Sequence, residues 1–254
     1  MIKPPAPALM TINRNKVRFQ LPYRNGFGLL ELMVATAIGS FLLLVIVAFF
    51  TQALSQNREL LLRLQLQQEI QKVLQLMAKD IARSGFYHFH QQVEQSNVDL
   101  FNHADGAASS ITHANREPEN SCLLFWYDLD HSGCIGSNHG AQCQRDERNN
   151  TQDIQKELFG YRLKSKMIET RAMYKNGTVQ QCDAAQCHAY IADGGCDTRG
   201  WTDLLDSDTY QITRLHFSWL ANGKGVLAEI EGSYKKQSEI RYQSAVVIPI
   251  VNRL

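Results

Sequence analysis

The residues able to do chemistry in this chain fall in three places. The first is Arg24-Asn25-Gly26-Phe27-Gly28-Leu29-Leu30-Glu31-Leu32-Met33, where Glu31 is the only charged residue between Phe27 and Phe50. An acid at mid-bilayer costs on the order of 2.5–3.5 kcal/mol. A place in the first turn of a helix lowers that cost, because the dipole favours an anion there. Glu31 still needs a cationic partner. The second place is a set of six cysteines, Cys122, Cys134, Cys143, Cys182, Cys187 and Cys196, all beyond the apolar run. In an oxidising compartment an even number reads as up to three disulfides, with the pairing open. Zinc is disfavoured, since no CxxC occurs and Cys182-x4-Cys187 beside His188 lacks a second pair. The third is Asp128-Leu129-Asp130-His131-Ser132-Gly133, the first half of a calcium loop with oxygen ligands at Asp128, Asp130 and Ser132. Its closing acid is missing, because the twelfth position is His139, and Asp146 or Glu147 would have to return from a distance. An Asp-rich turn between strands is the competing reading. Cofactors are therefore expected to be none, or calcium.

These residues need elements to hold them. The run from Phe27 to Phe50 spans roughly 36 Å as a helix, enough to cross a bilayer core of about 30 Å. It continues without proline into an amphipathic stretch, with Leu62, Leu66, Ile70, Val73, Leu74, Met77 and Ile81 at three- and four-residue spacing. Gly85 is a stop signal, so the spacing predicts one helix from about Gly28 to Ser84, roughly 85 Å long. Its repeat is too irregular for a coiled coil. Residues 86–120 read as a polar surface connection with short irregular elements. Strands are expected at Cys122–Tyr127, Glu157–Arg171, Ile212–Leu220, Val226–Tyr234 and Glu239–Val251. Strands grouped after one long helix argue an α+β fold, with an antiparallel sheet laid on the amphipathic half of the helix.

The order of basic leader, Gly26, Phe27, Glu31 and apolar helix resembles the type IV prepilin signature. That resemblance implies cleavage by a prepilin peptidase between Gly26 and Phe27, N-methylation of Phe27, and an assembly role for Glu31 paired with a neighbour's new amine. The segments Asp80-Ile81-Ala82-Arg83-Ser84-Gly85-Phe86-Tyr87, Phe159-Gly160-Tyr161-Arg162-Leu163 and Val247-Ile248-Pro249-Ile250-Val251-Asn252 are similar to those of the PilW and pseudopilin J group of minor pilins. The organisation implied is a removable leader (1–26, with Met1 or Met10 as its start), a transmembrane or filament-core helix (27–50), its amphipathic continuation (51–85) and a periplasmic β-rich head (86–254). A plain anchor and a secretory signal peptide compete, but the Gly, Phe and Glu placement and the missing A-x-A site argue against both.

Loss of the leader removes Lys3, Arg14, Lys16, Arg18 and Arg24, leaving 21 basic against 25 acidic residues. The mature chain then has a net charge of about −4, which does not favour polyanions. Arg162, Lys164, Lys166, Arg171 and Lys175, with Tyr161 and Tyr174 interleaved, form a basic–aromatic set. A solvated strand face or a contact between subunits explains it better than a DNA grip. No Walker loop, GxSxG elbow, HExxH or dinucleotide fingerprint occurs, so no enzyme is expected. The resemblance implies a subunit that primes or caps a type IV pilus. A type II secretion pseudopilus is the alternative, and a tip adhesin or DNA-uptake module the alternative of another class. The implied partners are prepilin peptidase, other minor pilins or pseudopilins, the major pilin, the inner-membrane assembly platform and membrane lipid. The basic leader places the N-terminus in the cytoplasm and the head in the periplasm.

Overall fold

The structure, a computed structural model, describes residues 28–89, 93–103, 106–137, 142–175, 177–221 and 223–252. Helix α1 runs Leu29–Ile81, and the chain divides into two compact units, Met1–Leu54 and Ser55–Leu254. In the first unit, none of the described residues is buried, and Leu29, Phe41, Phe49 and Phe50 stand exposed. The helix is long and apolar enough to cross a membrane. A helix apolar all round needs lipid or other chains about it.

In the second unit α1 buries Leu66, Ile70, Val73, Leu74, Met77 and Ile81, the stripe expected from the spacing, with Leu62 half-buried beside them. The helix ends three residues before Ser84. Its last amides switch to tighter i+3 bonds, Arg83 N to Asp80 O and Ser84 N to Ile81 O, and Gly85 turns left-handed at φ +75°. The Gly85 amide then donates to the Trp126 carbonyl, tying the helix end to the head.

After α1 come α2 (Val98–Phe101), β1 (Ser109–Thr112), β2 (Cys122–Trp126), the short pair β3 (Gln144–Arg145) and β4 (Arg148–Asn149), β5 (Leu158–Lys164), β6 (Met167–Arg171), α3 (Ala184–His188), β7 (Trp201–Asp203), β8 (Tyr210–Trp219), β9 (Gly225–Tyr234) and β10 (Arg241–Pro249). They form a five-stranded sheet in the order β1-β2-β5-β6-β7 and a three-stranded sheet in the order β10-β9-β8, both antiparallel. The α+β fold holds, with two main sheets on the helix where one was expected. One core joins α1 to both: Ile70 and Met77 share it with Phe125 and Tyr161 of the first sheet and Phe217 and Ile230 of the second. Gly232 makes room for this contact, since a Cβ there would lie 2.9 Å from Ile70 Cδ1.

The five-stranded sheet is covered on both faces. Leu123 and Phe125 point to the α1 core, while Cys122, Leu124 and Trp126 point to a second cluster with Val98, Phe101, Ile135, Ile191 and Cys196. Residues 86–120 hold the short elements α2 and β1, and they are more than a surface connection because Phe101 is fully buried. The stretch Glu157–Arg171 is a hairpin instead of one strand. Ser165 and Lys166 turn it with φ +51° and +63°, a two-residue turn that usually takes Asn-Gly.

Candidate processing and assembly site

Gly26 and Phe27, the expected cleavage and methylation residues, lie outside the described residues. Glu31 lies in the first turn of α1, exposed, with Oε2 3.4 Å from the Gly28 amide nitrogen. That amide is one of the helix's unsatisfied N-terminal donors, so the local backbone supplies the carboxylate with a weak, uncharged partner. Among the described residues no cation pairs with it. Leu29, Leu30 and Leu32 beside it in sequence are all exposed. This geometry suits an ion pair made with something beyond the chain's described part.

At the far end of α1 the quoted family-like segments meet. The Tyr161 hydroxyl donates to Asp80 Oδ2 at 2.6 Å, fixing β5 to the helix. Burial, reinforced by the Asp80 charge, holds the Tyr161 phenol far above its ordinary range, so it stays a donor. The Arg83 guanidinium lies 5.8 Å from the centroid of Tyr127, which stacks on Phe159 at 4.0 Å. Gly85 packs so closely under Asn252 that a Cβ would fall 2.8 Å from its carbonyl oxygen. Nothing in the local sequence marks Asp80 and Tyr161 as partners.

The Asp128 loop is a turn held by acids. Asp128 accepts from the amides of His88, Ser132 and Gly133 at 2.9–3.0 Å, and Asp130 accepts from Ser132 at 3.0 Å. Ser132 turns its hydroxyl to the Cys134 carbonyl. The third acid is Glu157, which sequence reasoning missed; it accepts from Leu129, Asp130 and Gly136 at 2.6–3.2 Å. Asp128, Asp130 and Glu157 can each bring one oxygen within 4.8 Å of the others, a hard-oxygen set of the kind that holds a divalent cation. Burial pushes the Glu157 carboxyl up to about 8, opposed by the Gly136 amide and helped by the Asp130 charge. Glu157 lies well beyond the loop in sequence and carries no motif. Its one signal is its place at the mouth of the strand that pairs with β2.

The six cysteines form three disulfides, Cys122–Cys196, Cys134–Cys143 and Cys182–Cys187. The structure disperses the basic–aromatic set. Arg162 pairs with Glu169 at 2.6 Å, bonds the Cys196 carbonyl and lies 4.4 Å over the Trp201 ring. Lys164 donates to the Asn115 carbonyl at 2.8 Å, Lys166 sits in the hairpin turn, and Tyr161 and Arg171 are buried. No continuous basic face results from these residues.

Comparison with known proteins bears on both ends of the chain. The prokaryotic N-terminal methylation motif matches residues 21–47, spanning Gly26, Phe27 and Glu31. The family of prepilin peptidase-dependent protein B matches residues 59–250. An uncharacterised protein of Haemophilus influenzae is 38% identical over 196 residues, covering 76% of this chain and 82% of its own. No solved structure matches the chain. With its α+β head on a long apolar helix and its three disulfides, this pilin-like chain belongs to the prepilin peptidase-dependent protein B family.

Proposed function

We propose that this protein is a minor pilin which, once cut after Gly26 and methylated on Phe27, joins other minor pilins and the major pilin to prime or cap a type IV pilus. One observation carries the reading. A lone acid stands in the first turn of α1, within the span matched by the methylation motif, on a stretch of helix that buries none of its described residues. Such a carboxylate gains most from a neighbour's amine, because pairing offsets the desolvation of both charges. The cleavage product supplies that amine at the membrane face. The head sits in the periplasm on this reading, consistent with a basic leader and three disulfides.

The test is Glu31→Gln. Leader removal and membrane insertion stay as in wild type, because the peptidase reads the glycine and its flanks. Crosslinked recovery of partner minor pilins and the number of filaments fall together. Equal recovery at equal abundance would remove Glu31 from assembly and leave recognition to the head. A deletion strain that keeps its pili but stops exporting secretion substrates would move the protein to a type II pseudopilus.

A further inference from the structure

Arg171 is the least explained charge in the head. It lies at the end of β6, 3% exposed, and no carboxylate among the described residues pairs with it. One guanidinium nitrogen donates to the Tyr190 carbonyl at 2.8 Å, and a second reaches the Thr198 hydroxyl at a long 3.5 Å. Its Nε is enclosed and has no partner among the described residues. An isolated buried cation costs far more than a carbonyl and a hydroxyl return, so buried arginines are found with an acid or a bound anion.

A second orphan donor stands beside it. Trp201 is the cross-strand partner of Arg171 in the β6–β7 pair, so the two side chains rise from the same face of the sheet. The Trp201 indole nitrogen is also buried without a partner among the described residues. The Trp201 ring is braced, with the Arg162 guanidinium over it and its rim against Gly160, where a Cβ would approach to 3.0 Å. Tyr190 and Trp201 both pack on the second core cluster, which covers this face. Two enclosed N–H groups therefore sit on adjacent strands next to an unneutralised positive charge. A water molecule would satisfy the donors but leave the charge unpaired.

We propose that Arg171 and Trp201 hold a small inorganic anion of halide size between the five-stranded sheet and the layer that covers it. A single-atom acceptor suits this donor set better than a carboxylate. The fork geometry that grips a carboxylate is interrupted here, because the other guanidinium nitrogens are turned to Tyr190 and Thr198. The anion would neutralise a buried cation of this layer that no acid among the described residues pairs with.

The test uses the full chain in detergent, unfolded thermally in sodium chloride and in sodium gluconate at matched ionic strength. For wild type, 100 mM chloride raises the midpoint by about 3–6 °C if the dissociation constant is near 10 mM. Trp201→Phe keeps the ring and removes one donor, and it at least halves that shift. Arg171→Met abolishes it. Crystals soaked in bromide show an anomalous peak within hydrogen-bonding reach of Arg171 Nε. Should Arg171→Met not fold, Trp201→Phe and the bromide peak decide. Identical midpoints in chloride and gluconate for wild type, with no bromide peak at Arg171, would overturn the proposal and leave the two donors to water.

Discussion

Removing the Cys122–Cys196 disulfide should cost this head more than removing either of the others, and the loop lengths set by how much. The three bridges close separations of 74, 9 and 5 residues. A chain-entropy treatment gives about 4.5, 2.6 and 2.1 kcal/mol at 25 °C for loops of those lengths. The cysteines of all three bridges are buried, so deletion adds a packing loss to each and the loop lengths set the ranking. The long bridge joins central strand β2 to the 3-10 turn Asp193–Asp197 in the covering layer. Paired alanine variants, Cys122→Ala with Cys196→Ala and likewise for the others, avoid burying hydroxyls. Guanidinium unfolding of the full chain in detergent, followed by the fluorescence of buried Trp126, reads the effect. The long-bridge variant should fall at least ~1.5 kcal/mol below the other two, with a raised m-value because its unfolded chain is no longer constrained. If it loses no more than the Cys182–Cys187 variant, the bridge does not act by restricting the unfolded chain, and the ranking fails.

Two further outcomes follow from packed sites. Glu157 binds its proton more tightly folded, at about 8, than its ordinary value of 4.5. Its contribution is therefore fully present below pH 4.5 and is lost as pH rises through 8. The unfolding free energy from urea titration should fall across that window by an amount on the order of 3–5 kcal/mol, and Glu157→Gln, neutral throughout, should flatten the slope. Parallel curves for wild type and variant would show that the folded carboxyl is ionised throughout. Gly232→Ala should destabilise by about 1–3 kcal/mol through overpacking against Ile70 Cδ1, and Ile70→Val, which deletes that methyl, should restore part of the loss. Strict additivity of the two in a double-mutant cycle would refute that contact.

Much of the scaffold is legible in the chain because its signals are local. The stripe from Leu66 to Ile81 repeats with helical period, and β8, β9 and β10 alternate between clear turns, so their bounds fall within a few residues of expectation. The β5–β6 hairpin hides because Ser165 and Lys166 adopt left-handed backbone without glycine or asparagine to announce it. Helix α2 and strand β1 hide in polar sequence, since their few apolar residues are buried by partners far along the chain. The methylation motif is legible because it is written in consecutive residues, Gly26 to Glu31 among them. The acid turn is half legible. Asp128 and Asp130 lie two apart in sequence, but Glu157 reaches them only through the β2–β5 pairing. The links from Asp80 to Tyr161 and from Arg171 to Trp201 are likewise products of packing.

The placement of the disulfides has a mechanical consequence. All three lie after residue 121, and none ties α1 to the head. Tension entering the head along α1 at Ser55 is therefore borne by side-chain packing, by Asp80–Tyr161, and by Gln71, whose amide donates to Tyr242 and Ser244. The helix can be peeled from the sheets without breaking a covalent bond, while the β2 layer and its cover stay laced together. A head built this way yields first along the seam it shares with its own stalk, and it can reseat when the load is released.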